Sequence, residues 1–189
     1  MVLAYHVIFG TYCFWLPNDP RGAWSNFVGS WELLRFGPAT KTAVRQSVAA
    51  IPHHRRARLA AKRVLKHSPV VLSGRQALAD AKGFDCACKE GEYVLHACSI
   101  LPEHVHMVIR RNQRAIGRIM RHFKARATQK IANENLWTEE GRPVWAKRGW
   151  KVFLDKPSDV RRTISYVENN PLKEGKKRQQ WTMITPFED

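Results

Sequence analysis

The stretch YVLHACSILPEHVHMVIR, at residues 93–110, decides the fold of this chain. Two runs rich in β-branched and apolar residues, 93–101 and 104–110, flank a two-residue turn and therefore predict a β-hairpin. Alternate side chains of a strand point to opposite faces, so His104 and His106 share one face while the apolar residues between them point to a core. The stretch predicts an antiparallel sheet that carries two imidazoles side by side.

Further strands and helices are predicted on both sides of this hairpin. Runs of β-branched and aromatic residues predict two strands, and apolar residues at helical spacing predict three helices. The strands cover residues 4–15 and 145–154, and the helices cover residues 70–89, 115–132 and 157–171. Ser73 is placed to cap the first helix and Gly83 to interrupt it, while Pro171 is expected to close the last. This order predicts an α+β fold in which helices cover an antiparallel sheet.

Residues 16–69 form a long insertion after the first strand. In its first half, prolines and glycines alternate with aromatic residues, which predicts irregular but packed structure. Between Lys41 and Ser68 there are eight Lys and Arg and no acidic residue, and residues 54–66 have the spacing of a basic helix. We expect a single domain over residues 1–175 that includes this insertion, followed by a basic-to-polar tail over residues 176–189.

Composition and charge limit the possible functions. The chain has 189 residues, of which 44% are hydrophobic, so a packed core is expected. Its 32 Lys and Arg outnumber 16 Asp and Glu, and the net charge of +16 predicts an anionic partner, most commonly nucleic acid. No apolar run reaches the length of a membrane span, and the N-terminus lacks the features of a signal peptide, so we expect a cytoplasmic protein.

The four cysteines favour free thiols in or near the core. They are Cys13, Cys86, Cys88 and Cys98. A single residue separates Cys86 from Cys88, which is closer than in the usual zinc motif, and no second pair faces them. A structural zinc held by these two thiols and a nearby histidine is the alternative.

Two residue pairs carry the predicted chemistry. His104 and His106 are placed to bind one divalent ion, and Tyr166 and Asn170 share a face of the last helix. Taken alone, the first pair indicates ordinary strand histidines, and the second indicates a packed tyrosine and a helix-capping asparagine. Together they fit one reaction: a Mg²⁺ or Mn²⁺ ion held by the histidines and Asn170 polarises a phosphodiester, and the Tyr166 phenol attacks it. The resulting phosphotyrosine link can be reversed by a second hydroxyl, which is strand-transfer chemistry.

Three segments of the chain resemble the IS200-like single-tyrosine transposases, and most closely the REP-associated tyrosine transposase branch of these HUH endonucleases. They are ILPEHVHMVI at residues 100–109, VWAKRGW at 144–150 and ISYVENNPLKEG at 164–175. The resemblance implies a ferredoxin-like sheet with His104 and His106 on a central strand, Tyr166 as nucleophile and Asn170 as third metal ligand. It implies cutting and rejoining of single-stranded DNA, commonly near the foot of a hairpin, through a 5′-phosphotyrosine intermediate.

The chain departs from the family pattern at two places. The insertion is longer than the short connection expected after the first strand, and the resemblance assigns it no role. Glu103 precedes His104 where the family often has Asn, so its carboxylate either lies near the metal or stabilises the turn. A homodimer is possible, because the tyrosine of one chain can be placed beside the histidines of another.

Basic and aromatic residues outside these motifs indicate contacts with nucleic acid. We expect positive side chains to bind DNA phosphates along the end of the histidine strand and the helix after it. They are Arg110, Arg111, Arg118, Arg121, Lys124 and Arg126. A solvated helix face is the alternative for each. Tryptophans such as Trp24, Trp31 and Trp145 either stack on unpaired bases or belong to the core. His6 and His96 are expected on strands without a catalytic role.

Two other functions are compatible with the sequence. One is a non-catalytic, domesticated protein that binds nucleic-acid hairpins, although all four residues of the predicted chemistry are present. The other is a metal-dependent hydrolase, for which Glu103 and Glu168 would have to activate water. The chain has no paired-carboxylate motif, so the hydrolase is the weaker alternative.

Overall fold

The computed structural model describes residues 1–23, 25–42, 48 and 51–188. Within these ranges the chain forms four strands and five helices in an α+β arrangement. The strands are β1 (Ala4–Gly10), β2 (Leu95–Ile100), β3 (His104–Arg110) and β4 (Trp150–Leu154), and the helices are α1 (Trp31–Leu34), α2 (Arg55–Arg63), α3 (Gly74–Gly91), α4 (Ile116–Asn133) and α5 (Pro157–Lys173). None of the helices in the described ranges has both the length and the apolar character that a membrane crossing requires.

The four strands form one antiparallel sheet in the order β2-β3-β1-β4. This strand order and the alternation of elements around it are those of a ferredoxin-like sheet, so the predicted fold class is confirmed. The predicted hairpin is the β2–β3 pair, and β3 lies in the interior of the sheet. In the β1–β3 register, Gly10 lies opposite His104, Ile8 opposite His106, and His6 opposite Val108.

The two faces of the sheet are covered by different helices. Val7, Phe9 and Met107 point to the face that packs against α3 and α4, in the largest apolar cluster of the described residues. The opposite face packs against α5 through a smaller cluster that includes Val108 and Val167. We call these the core face and the site face, because the alternation along β3 puts His104 and His106 on the side of α5.

Two predicted interruptions of helices do not occur. Ser73 caps α3 with a reciprocal capping box, as predicted, but α3 continues through Gly83 without a break. A Cβ atom at Gly83 would lie 2.6 Å from the carbonyl oxygen of Arg126, so glycine allows α3 and α4 to pack closely. Pro171 does not close α5 but lies inside it, and the helix ends at Lys173.

Two predicted strands are shorter than expected. β1 ends at Gly10, and the chain leaves the sheet at Thr11, whose hydroxyl donates to the carbonyl oxygens of Val70 and Glu103. β4 begins only at Trp150, since Trp145 forms an isolated bridge with Thr11. The side chain of Thr11 therefore ties the end of β1 to the segments at Val70 and Glu103.

The insertion packs around a small apolar cluster of its own. Leu16, Val28, Leu33 and Ala61 are buried there, and the predicted basic helix is present as α2. The insertion returns to the sheet at the end that carries His104, since the Leu72 amide donates to the carbonyl oxygen of Pro102 at 2.7 Å. Of the tryptophans predicted to stack or pack, Trp24 lies outside the described residues.

The four cysteines carry free thiols. Cys88 and Cys98 are buried, and burial raises the pKa of Cys88 to about 12. Cys86 is exposed, on the other side of α3 from Cys88. The two thiols of the candidate zinc motif therefore point away from each other.

Candidate active site

The two histidines of β3 lie side by side on the site face. Their ring centroids are 4.9 Å apart, and the His106 side chain is almost fully buried. Burial lowers the pKa of His104 to about 4 and that of His106 well below its ordinary value, and the neighbouring His104, His6 and Lys173 lower the pKa of His106 further. Both rings are therefore unprotonated at neutral pH, which is the state that a metal ligand requires.

Helix α5 places Tyr166 beside these rings. The centroid of its ring lies 5.7 Å from that of His106 and 5.9 Å from that of His6, and all three residues belong to the same chain. Burial raises the pKa of the Tyr166 phenol, so the hydroxyl is protonated at neutral pH. One chain alone thus brings the phenol ring next to the imidazoles, without a residue from a second copy.

Asn170 and His104 have buried polar atoms that lack partners among the described residues. Asn170 lies one turn after Tyr166 and is buried, and neither its Nδ2 nor the Nδ1 of His104 has a hydrogen bond. A buried polar atom without a partner is costly, and a binding site is one common reason for it. Rotation of the carboxamide exchanges its nitrogen and oxygen, so Asn170 can offer an acceptor to a cation.

The donor set fits a metal ion only if an amide takes part. Among the described residues, no group of three His, Cys, Asp or Glu side chains is arranged to hold a metal. Two imidazoles and one carboxamide are a weak, open set of ligands, which suits an ion that also binds phosphate oxygens. The unpartnered atoms of His104 and Asn170 are consistent with such an ion.

His6 is a member of the site that sequence reasoning missed. Its Nε2 lies 3.1 Å from the Nδ1 of His106, and the two rings are stacked with centroids 5.3 Å apart. Burial lowers the pKa of His6 to about 4. The alternation of β1 places His6 on a defined face, but only the register between β1 and β3 shows that it meets His106.

Lys173 is a second missed member. Its ammonium nitrogen lies 4.1 Å from the centroid of the Tyr166 ring, two turns further along α5. A cation in this position favours negative charge on the phenol or on a phosphate beside it. The signal in the sequence is its spacing of seven residues from Tyr166, which puts both on one face of a helix.

The segment that leads into the insertion contacts the first histidine. The ring of Phe14 stacks on that of His104, with centroids 4.9 Å apart and an angle of 21° between the planes. Gly10, opposite His104 in the sheet, leaves the room for this contact, because a Cβ atom there would lie 2.8 Å from the Phe14 ring. The carboxylate of Glu103, the residue before His104, lies 3.4 Å from the ammonium of Lys62 in α2.

The basic residues predicted to bind DNA are not gathered at this site. Arg110 and Arg111 are exposed at the far end of β3, and six residues of strand put Arg110 about 20 Å from His104. Arg118 and Arg121 are exposed on α4, which covers the core face, so the sheet separates them from the histidines. These residues therefore place no positive charge next to the histidines.

Two further residues of the predicted α4 surface have partners within the protein. The guanidinium of Arg126 pairs with Glu90 at 2.7 Å. Lys124 is buried, and its ammonium donates to the carbonyl oxygens of Ala146 and Arg148. The prediction that Lys124 lies on an exposed face is wrong, because its side chain joins α4 to the segment before β4.

Comparisons with known proteins place these features in a family context. The family model described as IS200-like transposase matches residues 64–170. A structure of the REP-associated tyrosine transposase bound to a REP hairpin aligns with a TM-score of 0.50 and 13% identity, covering 92% of this chain and 68% of that one. A candidate transposase from Deinococcus radiodurans R1 aligns with a TM-score of 0.46 and 13% identity, covering 89% and 91%. No curated protein sequence matches the chain.

Proposed function

Since this chain belongs to the IS200-like transposase family, we propose that it cuts and rejoins single-stranded DNA with Tyr166 as the nucleophile. The observation that carries the proposal is the approach of the Tyr166 ring to His106, at 5.7 Å between centroids within one chain. The phenol on α5 and the two unprotonated imidazoles on β3 form a group suited to phosphoryl transfer. The chain therefore acts as a DNA-strand transferase in transposition or recombination.

We propose His104, His106 and Asn170 as ligands of a divalent ion, Mg²⁺ or Mn²⁺. When bound, such an ion would polarise the scissile phosphate and neutralise part of its charge. The ligands themselves are fixed by the protein: β3 holds the two imidazoles, and α5 holds Asn170 one turn beyond the nucleophile. Burial keeps both imidazoles unprotonated, so no proton has to leave before they bind.

The Tyr166 phenol performs the covalent step. Its oxygen attacks the phosphorus, the bond from phosphorus to the 3′-oxygen of the upstream fragment breaks, and a 5′-phosphotyrosine link forms. The phenol loses its proton as the departing 3′-oxygen gains one, so charge and atoms balance. The ammonium of Lys173, 4.1 Å from the ring centroid, favours the phenolate that develops during attack. A second 3′-hydroxyl that attacks the link reverses the step and joins the strands.

We propose that His6 positions His106. If the Nδ1 of His106 donates its hydrogen to the Nε2 of His6, the Nε2 of His106 keeps its lone pair for the metal. A hydrogen bond to the second ring nitrogen is the usual way in which proteins orient a histidine ligand. His6 acts through His106 and does not itself coordinate the ion.

We propose single strands beside a DNA hairpin as the substrate. The REP-associated tyrosine transposase of similar fold is bound to a REP hairpin, and the segment from Tyr166 to Gly175 resembles that branch. The net charge of +16 provides the attraction to the phosphate backbone that such a substrate requires.

The deciding experiment compares the wild-type chain with Tyr166→Phe. A pool of 3′-labelled strands that carry hairpins with varied flanks is incubated with Mn²⁺ and separated on a denaturing gel. The wild type should give a denaturant-resistant protein–DNA band, and Tyr166→Phe should abolish it while DNA affinity stays within about twofold, because only the attacking oxygen is lost. Tyr5→Phe, a phenol on the core face, is the matched control and should form the adduct normally.

Two outcomes would contradict the proposal. An adduct formed by Tyr166→Phe would show that another residue is the nucleophile. Tight hairpin binding by a wild-type chain that never forms an adduct would favour the non-catalytic hairpin-binding function.

A further inference from the structure

We propose that the insertion, residues 16–69, is a binding surface for single-stranded DNA that stacks unpaired bases beside the active site. The inference deepens the proposed function and rests on it, since a DNA strand must reach Tyr166 for the surface to have this substrate. It assigns a role to the part of the chain that the family resemblance leaves unexplained, and it replaces α4 as the main source of positive surface near the site.

The place where the insertion joins the sheet is the first observation that supports the proposal. Phe14, two residues before the insertion, stacks on His104, and α2 within the insertion reaches Glu103 through Lys62. Three residues after the insertion, the Leu72 amide donates to the carbonyl oxygen of Pro102, in the turn before β3. Both of its ends therefore lie at the end of the sheet that carries His104. A strand that is held at Tyr166 and leaves the site past this end would run beside the insertion.

Exposed aromatic residues are the second argument. Trp31 is 86% exposed and Phe27 is 73% exposed, although the insertion has a packed cluster of its own that buries Leu33. Within α1, Leu33 therefore points inward while Trp31 points to solvent. Both rings are therefore available to stack on a ligand. Every DNA base has an aromatic face, so stacking on Phe27 and Trp31 requires no particular sequence.

Charge is the third argument. The insertion contains ten Lys and Arg but only two Asp and Glu, a net charge of +8 out of +16 for the whole chain. Its two acidic side chains have local partners: Asp19 pairs with Arg21, and Glu32 accepts from the Ser30 hydroxyl. Helix α2 contains no acidic residue, and Arg55, Arg56 and Arg63 are exposed on it.

These properties select single-stranded DNA over other occupants. A duplex hides the faces of its bases, so exposed aromatic rings gain nothing from it. A second copy of this chain would bring another strongly positive surface against the first, and like charges repel. Aromatic rings together with a positive surface are the combination that single-strand-binding proteins use.

The test measures DNA binding without cleavage. Fluorescence anisotropy is recorded for a labelled 30-nucleotide strand and for its duplex, with Tyr166→Phe as the background and no metal added. The double substitution Phe27→Ala with Trp31→Ala should weaken binding of the single strand about 30-fold or more and change binding of the duplex less than twofold. Phe153→Ala, on the edge strand β4, removes another exposed aromatic ring and should have no effect.

A second variant tests the charges independently of the aromatic rings. Replacing Arg55, Arg56 and Arg63 by Gln should reduce the slope of log affinity against log salt by about 2 for the single strand. The proposal would be overturned if the aromatic variant bound the single strand with unchanged affinity and the arginine variant kept an unchanged salt slope. So would equal losses for strand and duplex, or self-association of the chain that Trp31→Ala abolishes. Adduct formation by the wild-type chain is measured in a separate experiment. A failure of the proposed function is therefore distinguished from a failure of the proposed binding surface.

Discussion

The two faces of the central sheet come from the same strands but have opposite chemistry. On the core face, Phe9 and Met107 are fully buried against α3 and α4 among apolar neighbours. On the site face, the same two strands present His6, His104 and His106 to α5, and burial holds all three rings unprotonated. The alternation of side chains thus lets one strand stabilise the fold with one set of residues and carry chemistry with the other. Substitutions on the two faces should therefore separate stability from activity.

The largest effect is expected from the metal ligands on the site face. His104→Ala and His106→Ala should each lower the rate of adduct formation about 100-fold or more and abolish detectable Mn²⁺ binding, because each removes one of three proposed ligands. Mn²⁺ binding is measured by electron paramagnetic resonance and unfolding by urea titration. The urea concentration at the unfolding midpoint should change little, because burying the two polar rings costs free energy that offsets what their packing contributes. His122→Ala, on α4, is the matched control, and an equal loss of metal there would contradict the assignment.

A smaller effect on the same face is expected from His6. His6→Ala should weaken Mn²⁺ binding about 10-fold, within the range of 10–100-fold found for residues that orient metal ligands. His6→Gln should restore part of the affinity, since its amide can still meet the Nδ1 of His106. Nitrogen NMR of His106 reports which ring nitrogen carries the hydrogen. If His6→Ala leaves both the tautomer of His106 and the metal affinity unchanged, His6 has only a packing role.

On the core face, the corresponding prediction concerns stability alone. Gly83→Ala should lower the free energy of unfolding by about 2 kcal/mol, because the new methyl group meets the backbone of α4 at Arg126 and Ala127. Gly117→Ala is the matched control: it lies on α4 with open space around it, so the same change should be neutral or stabilising. Mn²⁺ affinity of the folded Gly83→Ala protein should be unchanged. A loss of metal binding without a loss of stability would show that the two faces are not independent.

Local patterns predicted much of this division. The hairpin at residues 93–110 was predictable because its strands are adjacent in the sequence and their turn is short. The shared face of His104 and His106 follows from the period of a strand, and that of Tyr166 and Asn170 from the period of a helix. In each case the residues are only a few positions apart in the sequence, so the geometry of the strand or helix alone determines which side chains are neighbours. The fold class followed from the order of such elements.

What could not be predicted depends on contacts between distant segments. His6 meets His106 only through the register of β1 and β3, which are about 100 residues apart. Gly83 was expected to break α3, but its role is set by the backbone of α4 against it. The burial of Lys124 has a local signal, because it lies four residues after Met120 and three before Ala127 in the apolar stripe of α4. Lys124 was nevertheless predicted to belong with the exposed basic residues of α4, because of its charge.

The smallest effect is expected from the arginines of α4. It tests whether the two faces also differ in how much they contribute to DNA binding. Arg118→Gln with Arg121→Gln removes two exposed charges on the core-face side, where the sheet separates them from Tyr166. Loss of general attraction should weaken binding of a single strand less than threefold at physiological salt, and the adduct rate at saturating DNA should stay within twofold. The α2 variant with three arginines replaced should show the larger loss per charge, because α2 adjoins the turn before His104. Equal losses per charge would mean that the strand wraps around the core face as well, and that the division between the faces applies to chemistry but not to binding.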